Sequence, residues 1–487
     1  MSEDSSISIR DQASLSFAGN VIDAAISFLG LIAFAYVLGA DGLGRFYLIL
    51  SVVQVALFPL RGVGQAVMKR GSEAGMAPNE YFGAGLTVGG LYVSSVVAGV
   101  VGLYRFNPEL LGVPVDVLAA AASVFGVRAL LILCIDTYRS YGKTGRATLV
   151  DNAMGIVETV LQVALLAAGL EITGLLAGTS IAGVFVGGGV FRFTPVGLAA
   201  PTRLHVKRLL SFAKWSVTNS GVSTLYDRLP VIVLGAIATE AAVGYYSSAN
   251  RLLMLGSYVG GSVAPALMVK VSTKSSGSDS SNPFADLENA SQYVAVLSIA
   301  LAFGALAMPS ALMTTFFGPD FSSVTAAQAL VALSLYHVVN PFTTIAYSYI
   351  DGIDIPSYGA KATTVALVVR ASVVGLFGGL YGLLGVIAAV IVSHLVLAAI
   401  AEFVIYRHGG GFVVPTKVVK QVASGALMYL IVSRIADTVA LDSWVPVVLT
   451  VWVGGVVYVL SLLVADGRFR EMSLGVVARA VRIAGID

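Results

Sequence analysis

The chain has 487 residues, of which 57% are hydrophobic and only 11% are charged, and its formal net charge is +2. Soluble domains carry about 25% charged residues, so this composition excludes an ordinary soluble domain. The single cysteine, Cys134, excludes an intramolecular disulfide.

Long apolar runs follow one another along almost the whole chain. A hydrocarbon core about 30 Å thick is crossed by about 20 apolar helical residues, and runs of that length are rare in soluble cores. Fourteen runs are found, at residues 15 to 38, 46 to 67, 82 to 104, 115 to 135, 148 to 170, 172 to 191, 209 to 237, 242 to 269, 292 to 317, 324 to 350, 360 to 380, 383 to 405, 418 to 436 and 444 to 465. The sequence therefore predicts an all-α polytopic membrane protein with about fourteen transmembrane helices.

The basic residues are distributed unequally between the two sides of the predicted bundle. With the N-terminus placed inside, 20 of the 29 Lys and Arg residues fall in cytoplasmic segments, and only Arg45, Arg105 and Arg434 fall on the opposite side. The positive-inside rule then predicts that both termini are cytoplasmic. The Ser-rich leader before the first run lacks a cleavage pattern, so we expect no removable signal peptide.

An internal repeat relates the first two runs to the seventh and eighth. Three short segments recur in the same order at nearly equal spacing. In the first copy they are Ser16-Phe17-Ala18, Leu38-Gly39-Ala40 and Gly44-Arg45-Phe46-Tyr47. In the second copy they are Ser211-Phe212-Ala213, Leu234-Gly235-Ala236 and Gly244-Tyr245-Tyr246-Ser247. Six runs separate the copies, so both copies have the same orientation, which is the parallel repeat of some secondary transporters. We expect a six-helix lobe over residues 1 to 205, a second over 206 to 410, and an additional helix pair with a cytoplasmic tail over 411 to 487.

The connections between the runs are short, which leaves no room for a soluble catalytic domain. Residues 273 to 286 are Ser-rich and predict a flexible cytoplasmic link. Residues 466 to 487 alternate arginines with apolar residues. They predict either a helix on the anionic membrane surface or a solvated tail.

Charged residues inside the predicted spans are the candidate functional residues, because a charge in the bilayer core needs a partner or a wet cavity. The basic ones are Arg61, Arg128, Arg228, Arg251 and Arg370, in the second, fourth, seventh, eighth and eleventh runs. The acidic ones are Asp23, Glu158 and Asp227, which we assign to ion coupling or structure. A structural network tends towards one-to-one pairing. The excess of arginine therefore predicts a cavity that binds an anionic substrate.

Alternatives remain for some of these residues. Arg128 can pair with Glu158, and Arg61 can extend to the lipid phosphates from its position near a helix end. Arg228 and Arg251 lie in the membrane half nearer the exterior, so they are the preferred cavity residues. The neighbouring Asp227 points in a different direction on the helix from Arg228.

Prolines near the candidate arginines predict kinks, and the histidines predict no metal site. Pro59 and Pro230 lie two residues from Arg61 and Arg228, so both arginines are expected beside kinks. His337 and His394 lack metal-ligand spacing. We therefore expect hydrogen bonding inside the helices for both histidines, with no catalytic residue, cofactor or metal.

The chain resembles a known family in its sequence motifs and in its predicted topology. The motifs are the opening Ser16-Phe17-Ala18-Gly19-Asn20 and the turn Leu38-Gly39-Ala40-Asp41-Gly42-Leu43-Gly44, which leads to Arg45-Phe46-Tyr47. The topological features are the parallel repeat and the extra helix pair. The family is the polysaccharide-transport or oligosaccharide-flippase branch of the multidrug/oligosaccharidyl-lipid/polysaccharide exporter superfamily. The resemblance implies a protein that is not an enzyme and that moves a lipid-linked oligosaccharide, on a polyprenyl- or dolichyl-phosphate carrier, from the cytoplasmic to the external leaflet by alternating access.

The resemblance also implies the partners and the location. The expected partners are the lipid-linked glycan and membrane lipids, with glycan-assembly enzymes as candidates and no nucleic acid. We expect a monomer in the plasma membrane of a prokaryote.

Two other functions stay open at this point. A cation-coupled multidrug exporter of the same superfamily is the alternative, because Asp23 is a carboxylate that can take a coupling cation. A membrane-embedded glycosyltransferase or polymerase is disfavoured, because no large extracytoplasmic loop carries paired carboxylates or metal ligands.

Overall fold

The computed structural model describes residues 9–73, 78–107, 112–276, 282–413, 415–471 and 473, with side chains from residue 22 onward. Within these ranges the chain is built from long helices. They are α1 (Ile9–Ala56), α2 (Phe58–Gly71), α3 (Pro78–Phe106), α4 (Val115–Ser140), α5 (Thr144–Ala167), α6 (Glu171–Phe193), α7 (Arg203–Ile237), α8 (Glu240–Met254), α9 (Tyr258–Ser276), α10 (Pro283–Ser291), α11 (Val296–Ala307), α12 (Pro309–Phe317), α13 (Val324–Gly352), α14 (Ser357–Arg407), α15 (Thr416–Thr438) and α16 (Trp444–Ala465). Short 3-10 turns lie at Leu255–Ser257 and Pro319–Phe321.

Two of these helices are too long to be single membrane spans. At 1.5 Å per residue, the 48 residues of α1 would extend about 72 Å and the 51 residues of α14 about 77 Å. Each contains one glycine with positive φ, Gly39 (φ 67°) in α1 and Gly382 (φ 54°) in α14. Glycine adopts this conformation without a Cβ clash. Each helix is therefore divided into two spans at its glycine.

The predicted fold class is confirmed. Eleven helical segments among the described residues are long and apolar enough to cross a membrane. Two of them contain the breaks at Gly39 and Gly382, and α7, which is rich in charged residues, is not among the eleven. Dividing those two and adding α7 recovers about fourteen spans, so the chain is a multi-pass, all-helical membrane protein.

Residues 1–244 form the first of two compact units. In it α2 packs against α4 and α7, α6 packs against α4 and α5, and α1 packs against α5. The buried core combines aliphatic residues of α2 and α4 with the aromatic pair Tyr81 and Phe82 of α3. The predicted lobe boundaries, at 205/206 and 410/411, stay predictions.

Proline creates a helix break just before the candidate site. Pro59 stands at the start of α2 and has no N–H to donate, so the helix hydrogen bonds are interrupted there. The Tyr92 hydroxyl donates to the Ala56 carbonyl at 2.8 Å. Further along α2, the Ser216 hydroxyl of α7 donates to the Gly62 carbonyl at 2.7 Å. The first bond ties the end of α1 to α3, and the second ties α2 to α7.

Two glycines of the sequence repeat pack reciprocally within the first unit. A Cβ on Gly44 would overlap the backbone carbonyl of Glu240, and a Cβ on Gly244 would overlap the carbonyl of Ala40. In the repeat, Gly44 corresponds to Gly244, and Ala40 and Glu240 each lie four residues before these glycines, so each contact becomes the other when the two copies are exchanged. A two-fold relationship between the two sequence copies produces this pattern. Only glycine allows the backbones to approach so closely.

Residues 245–487 form the second unit. There α13 packs against α9, α11 and α14, while α15 packs against α11 and α16. Helix covers both ends of the segment 273 to 286, for which the sequence predicted a flexible link, because α9 continues to Ser276 and α10 begins at Pro283. Ion pairs from Lys270 and Lys274 to Asp286 join these two helices. Residues 277–281 lie outside the described part.

The predicted C-terminal tail is described only at its start. A short helical segment follows α16 at residues 467–471. Residue 472 and residues 474–487 lie outside the described part, so the choice between a surface helix and a solvated tail stays open.

Candidate functional site

A cavity of about 580 Å³ lies inside the first unit. From α2 it is lined by Arg61, Gln65, Met68 and Lys69. From α4 it is lined by Arg128, Leu131, Ile132, Ile135, Asp136 and Arg139, and α5 and α7 add Asp151 and Phe212. Four basic side chains therefore face two carboxylates across a space large enough for a charged headgroup.

The α2 wall carries a polar stripe. Arg61, Gln65 and Lys69 are spaced four residues apart, so they lie on one face of the helix. Gln65 and Lys69 are exposed to the cavity, and no described side chain pairs with the Lys69 ammonium. From the sequence alone, Lys69 counts only as a cytoplasmic charge and Gln65 does not stand out. The four-residue spacing from Arg61 was the available signal.

Arg61 lies among other charges. Its guanidinium donates to the side-chain carbonyl of Gln54, one helical segment earlier. Arg128, Arg228 and Asp227 are close enough to act on it electrostatically. The structure therefore gathers three of the five predicted substrate-binding arginines in the first unit.

Arg128 forms the ion pair that the sequence left open. It binds Glu158 of α5, whose carboxylate also accepts the Thr179 hydroxyl at 2.8 Å. Gln162 donates to the same Thr179 at 3.0 Å and to the Leu175 carbonyl at 3.2 Å. Glu158 is thus fixed by α6, and Arg128 is positioned by Glu158 with about a quarter of its side chain still exposed.

Arg139 is neutralised at the other end of the cavity. Its two terminal nitrogens bind Asp136 at 2.9 Å and Asp151 at 2.5 Å. A Cβ on Gly64 would overlap the Asp136 carboxylate, so glycine makes room for this triad. Because Arg139 is paired twice, the cations available to a ligand are Lys69, Arg61 and the exposed edge of Arg128.

The remaining predicted residues lie elsewhere. Arg251 is exposed on α8 and belongs to the second unit. Asp23 of α1 lies against Gly155 of α5, where a Cβ would overlap its carboxylate. Arg370 of α14 is 3% exposed and donates from Nε to the Ser393 hydroxyl at 2.9 Å.

Hydrogen bonding for the buried histidines was expected, and the structure shows it for His337. The ring of His337 contacts Asn250 at 3.1 Å and Ser257 at 3.4 Å, and Asn340 donates to the same Ser257 at 3.3 Å. His394 packs its ring edge-on against Tyr336, with 4.6 Å between ring centroids. Among the described residues, no three His, Cys, Asp or Glu side chains gather as metal ligands.

The fold is shared with solved transporters. The chain superimposes on the lipid II flippase MurJ, in an inward closed conformation, with a TM-score of 0.75, covering 94% of this chain and 99% of that one at 14% identity. An inward-facing multidrug-resistance transporter of the MATE family aligns with a TM-score of 0.63 over 79% of this chain and 95% of its own, at 15% identity.

Relatives of this chain are named as flippases rather than enzymes. The probable low-salt glycan biosynthesis flippase Agl15 of Haloferax volcanii is 25% identical over 73% of this chain and 74% of its own length. The probable flippase AglR of the same organism is 23% identical over 94% of this chain and 96% of its own length. The chain is accordingly a membrane transporter, not an enzyme.

The family model described as polysaccharide biosynthesis protein matches residues 37–326, which is more than half of the chain. The match begins in the Leu38-Gly39-Ala40 turn and extends through the whole cavity of the first unit. This confirms the family resemblance seen in the sequence: the chain belongs to the polysaccharide biosynthesis protein family.

Proposed function

We propose that this protein moves a lipid-linked oligosaccharide from the cytoplasmic to the external leaflet by alternating access. The observation that carries the proposal is the surplus of basic side chains around the cavity, with the Lys69 ammonium facing it unpaired among the described residues. A phosphate or diphosphate on a polyprenyl or dolichyl carrier supplies the negative charge that such a cavity binds. The names of the two Haloferax relatives support the same substrate class.

The cavity offers different groups to different parts of such a substrate. Arg61 and Lys69 bind the phosphate, since guanidinium forms paired hydrogen bonds to phosphate and ammonium adds a compact charge. Gln65 and Asp151 supply hydrogen-bonding groups for sugar hydroxyls, and Phe212 supplies an apolar face. Arg228 and Arg251 stay proposed phosphate ligands in other parts of the transport cycle.

Arg128 and Arg370 have a more structural part in this proposal. The ion pair with Glu158 holds Arg128 in position, so only the exposed edge of its guanidinium contacts the substrate. Arg370 is bonded inside the second unit, so it supports the packing of α14. Asp23, Asp227 and Glu158 are assigned to structure or ion coupling.

Reconstituted transport tests the proposal. Purified protein in liposomes, supplied with a fluorescent lipid-linked oligosaccharide, is compared with Arg61→Gln, Lys69→Gln and Lys69→Arg. We expect each Gln variant to lose at least tenfold in initial rate, and Lys69→Arg to retain most of it. Lys143→Gln is the matched control, because Lys143 is exposed and does not line the cavity. If Lys69→Gln and Arg61→Gln flip the substrate as fast as Lys143→Gln, the cavity is not the phosphate site.

The alternative function is a cation-coupled multidrug exporter, for which Asp23 supplies an intramembrane carboxylate. The MATE neighbours share the fold with this chain. The same liposomes, loaded with ethidium under an imposed Na⁺ or proton gradient, decide between the two. Gradient-driven ethidium transport that is lost in Asp23→Asn, without glycan flipping, would replace the flippase proposal.

A further inference from the structure

A second cavity lies in the second unit. Its volume is about 570 Å³, and it is bordered by α9, by α10 with the residues after it, and by the segment after α16. Val263, Leu267 and Ala290 form an apolar wall, while Lys270 and Arg468 supply positive charge. The cavity therefore joins an apolar surface to a basic rim.

The rim keeps a positive excess after internal pairing. Lys270 and Lys274 each bind a different oxygen of Asp286, both at 2.6 Å, so two ammonium groups share one carboxylate. The Lys270 side chain remains 60% exposed. Arg468 is exposed, and no described side chain pairs with its guanidinium. Among the residues that line the cavity, Lys270 and Arg468 thus stand against the single carboxylate of Asp286.

Arg468 is held in place by its own backbone. Asp466, only 1% exposed, accepts the Arg468 N–H at 3.1 Å and the Tyr293 hydroxyl at 3.0 Å. Lys417 reaches the same carboxylate at 3.5 Å. Lys420 donates to the Ala465 carbonyl at 2.8 Å, which closes the end of α16. The backbone of Arg468 is therefore held at the cavity mouth, from which its side chain lines the cavity.

We propose that this cavity binds the phosphate group of an anionic membrane lipid. The phosphate lies between Arg468 and Lys270, and an acyl chain lies along Val263, Leu267 and Ala290. Basic pockets between membrane helices are suited to anionic headgroups. A lipid is favoured over free inorganic phosphate because the apolar wall adjoins the charges. The inference is independent of the transported substrate and adds a second, bound lipid to the proposed function.

Lipid binding by detergent-purified full-length protein tests this inference. Native mass spectrometry counts the phosphatidylglycerol bound to wild type, Arg468→Gln, Lys270→Gln and the matched control Arg470→Gln. Arg470 is exposed in the same segment but does not line the cavity. A basic residue near an anionic lipid contributes about 1 kcal/mol, so each of the first two changes should weaken binding about fivefold. The control should bind as wild type does.

Two further probes separate the sources of phosphate. Phosphatidylcholine should bind at least fivefold more weakly than phosphatidylglycerol, and inorganic phosphate at millimolar concentration should not displace the lipid. Equal binding of phosphatidylglycerol by Arg468→Gln and Arg470→Gln overturns the proposal. Displacement by inorganic phosphate also overturns it, because a free anion is then the ligand. Both outcomes are read without any transport assay, so they are distinguishable from a failure of the flippase proposal.

Discussion

At the scale of single residues, the charged groups inside the helices fall into two kinds. Arg128, Arg139 and Arg370 are bound by neighbouring side chains and hold helices together. Lys69 lies on a cavity wall, facing space that a ligand can fill. Composition cannot separate these kinds, because pairing depends on which helices become neighbours.

Arg370 provides a test of the first kind. Removing a buried, hydrogen-bonded side chain leaves a cavity and takes away the donor that the Ser393 hydroxyl accepts, which costs about 3 kcal/mol. We expect Arg370→Ala to lower the thermal unfolding temperature in detergent, with Arg370→Lys intermediate. Arg407→Ala, at the exposed end of the same helix, is the control. A variant at 370 that unfolds like the control but no longer flips substrate would place Arg370 in transport instead of packing.

Asp466 lies outside the membrane spans, and its carboxyl group makes the local stability of the segment after α16 depend on pH. Burial alone would raise the pKa of its carboxyl, but hydrogen bonds from Tyr293 and from the Phe469 and Arg468 amides, with the charge of Lys417, lower that pKa below its ordinary value. The unfolded chain therefore binds the proton more readily than the folded one. The stabilisation is present above the usual aspartate pKa of about 3.9 and is lost as the pH falls through the folded value.

Hydrogen exchange at residues 466–471 measures this effect. At pH 7, Asp466→Asn should lower the local opening free energy by about 2 kcal/mol, because a charged hydrogen-bond acceptor is lost. After correction for intrinsic exchange, wild type and variant should converge as the pH falls below about 3.9. Asp442→Asn, on an exposed connection, should show no change at either pH. Equal protection of Asp466→Asn and wild type at pH 7 would contradict this role.

At the scale of helices, glycine decides where the chain turns and where helices meet. Gly39 and Gly382 divide α1 and α14 by their positive φ angles. The second span of the chain starts just after Gly39, earlier than residue 46, where the apolar run begins. The charged residues Asp41 and Arg45 interrupt the apolar pattern between the first two runs. The helix nevertheless includes this interval, where Gly44 allows close packing against the Glu240 backbone.

The reciprocal glycine contact predicts that a side chain at residue 44 or residue 244 destabilises the protein. Gly44→Ala and Gly244→Ala each place a Cβ onto a backbone carbonyl that no rotamer change can move. Overpacking of this kind costs about 3 kcal/mol. Thermal unfolding in detergent should show a clear loss for both variants, whereas Gly90→Ala, which meets open space, should be unchanged. Wild-type stability of both Ala variants would show that the backbones do not approach this closely.

At the scale of the whole molecule, the charge asymmetry predicts the orientation in the membrane. Cysteine labelling of intact cells in a Cys134→Ala background tests it at two exposed connections. Ser443→Cys, before α16, should react with an impermeant reagent, and Ser357→Cys, at the start of α14, should react only after lysis. The opposite pattern would invert the predicted topology and would place both termini outside.

The direction of transport has a predicted energy source. Each negative charge that moves outward across an inside-negative potential gains about 2.3 kcal/mol per 100 mV. A lipid-linked phosphate therefore needs no ATP if its charge moves uncompensated. In liposomes, an inside-negative potential should accelerate outward flipping, and its collapse should slow it. Transport that ignores the potential and requires a Na⁺ or proton gradient would exclude this energy source.

The sequence alone determined the fold class, the approximate number of spans, the repeat and the family, because these depend on hydrophobic runs and glycine punctuation that are local in the chain. It also identified Arg61 and Arg128 as candidate functional residues, because a charged residue inside an apolar run is easily recognised. Only the tertiary structure decided that Arg128 is held by Glu158 and that Lys69 and Gln65 share the cavity with Arg61. Pairing and cavity formation depend on which helix faces meet, and that is set by packing between residues far apart in the chain.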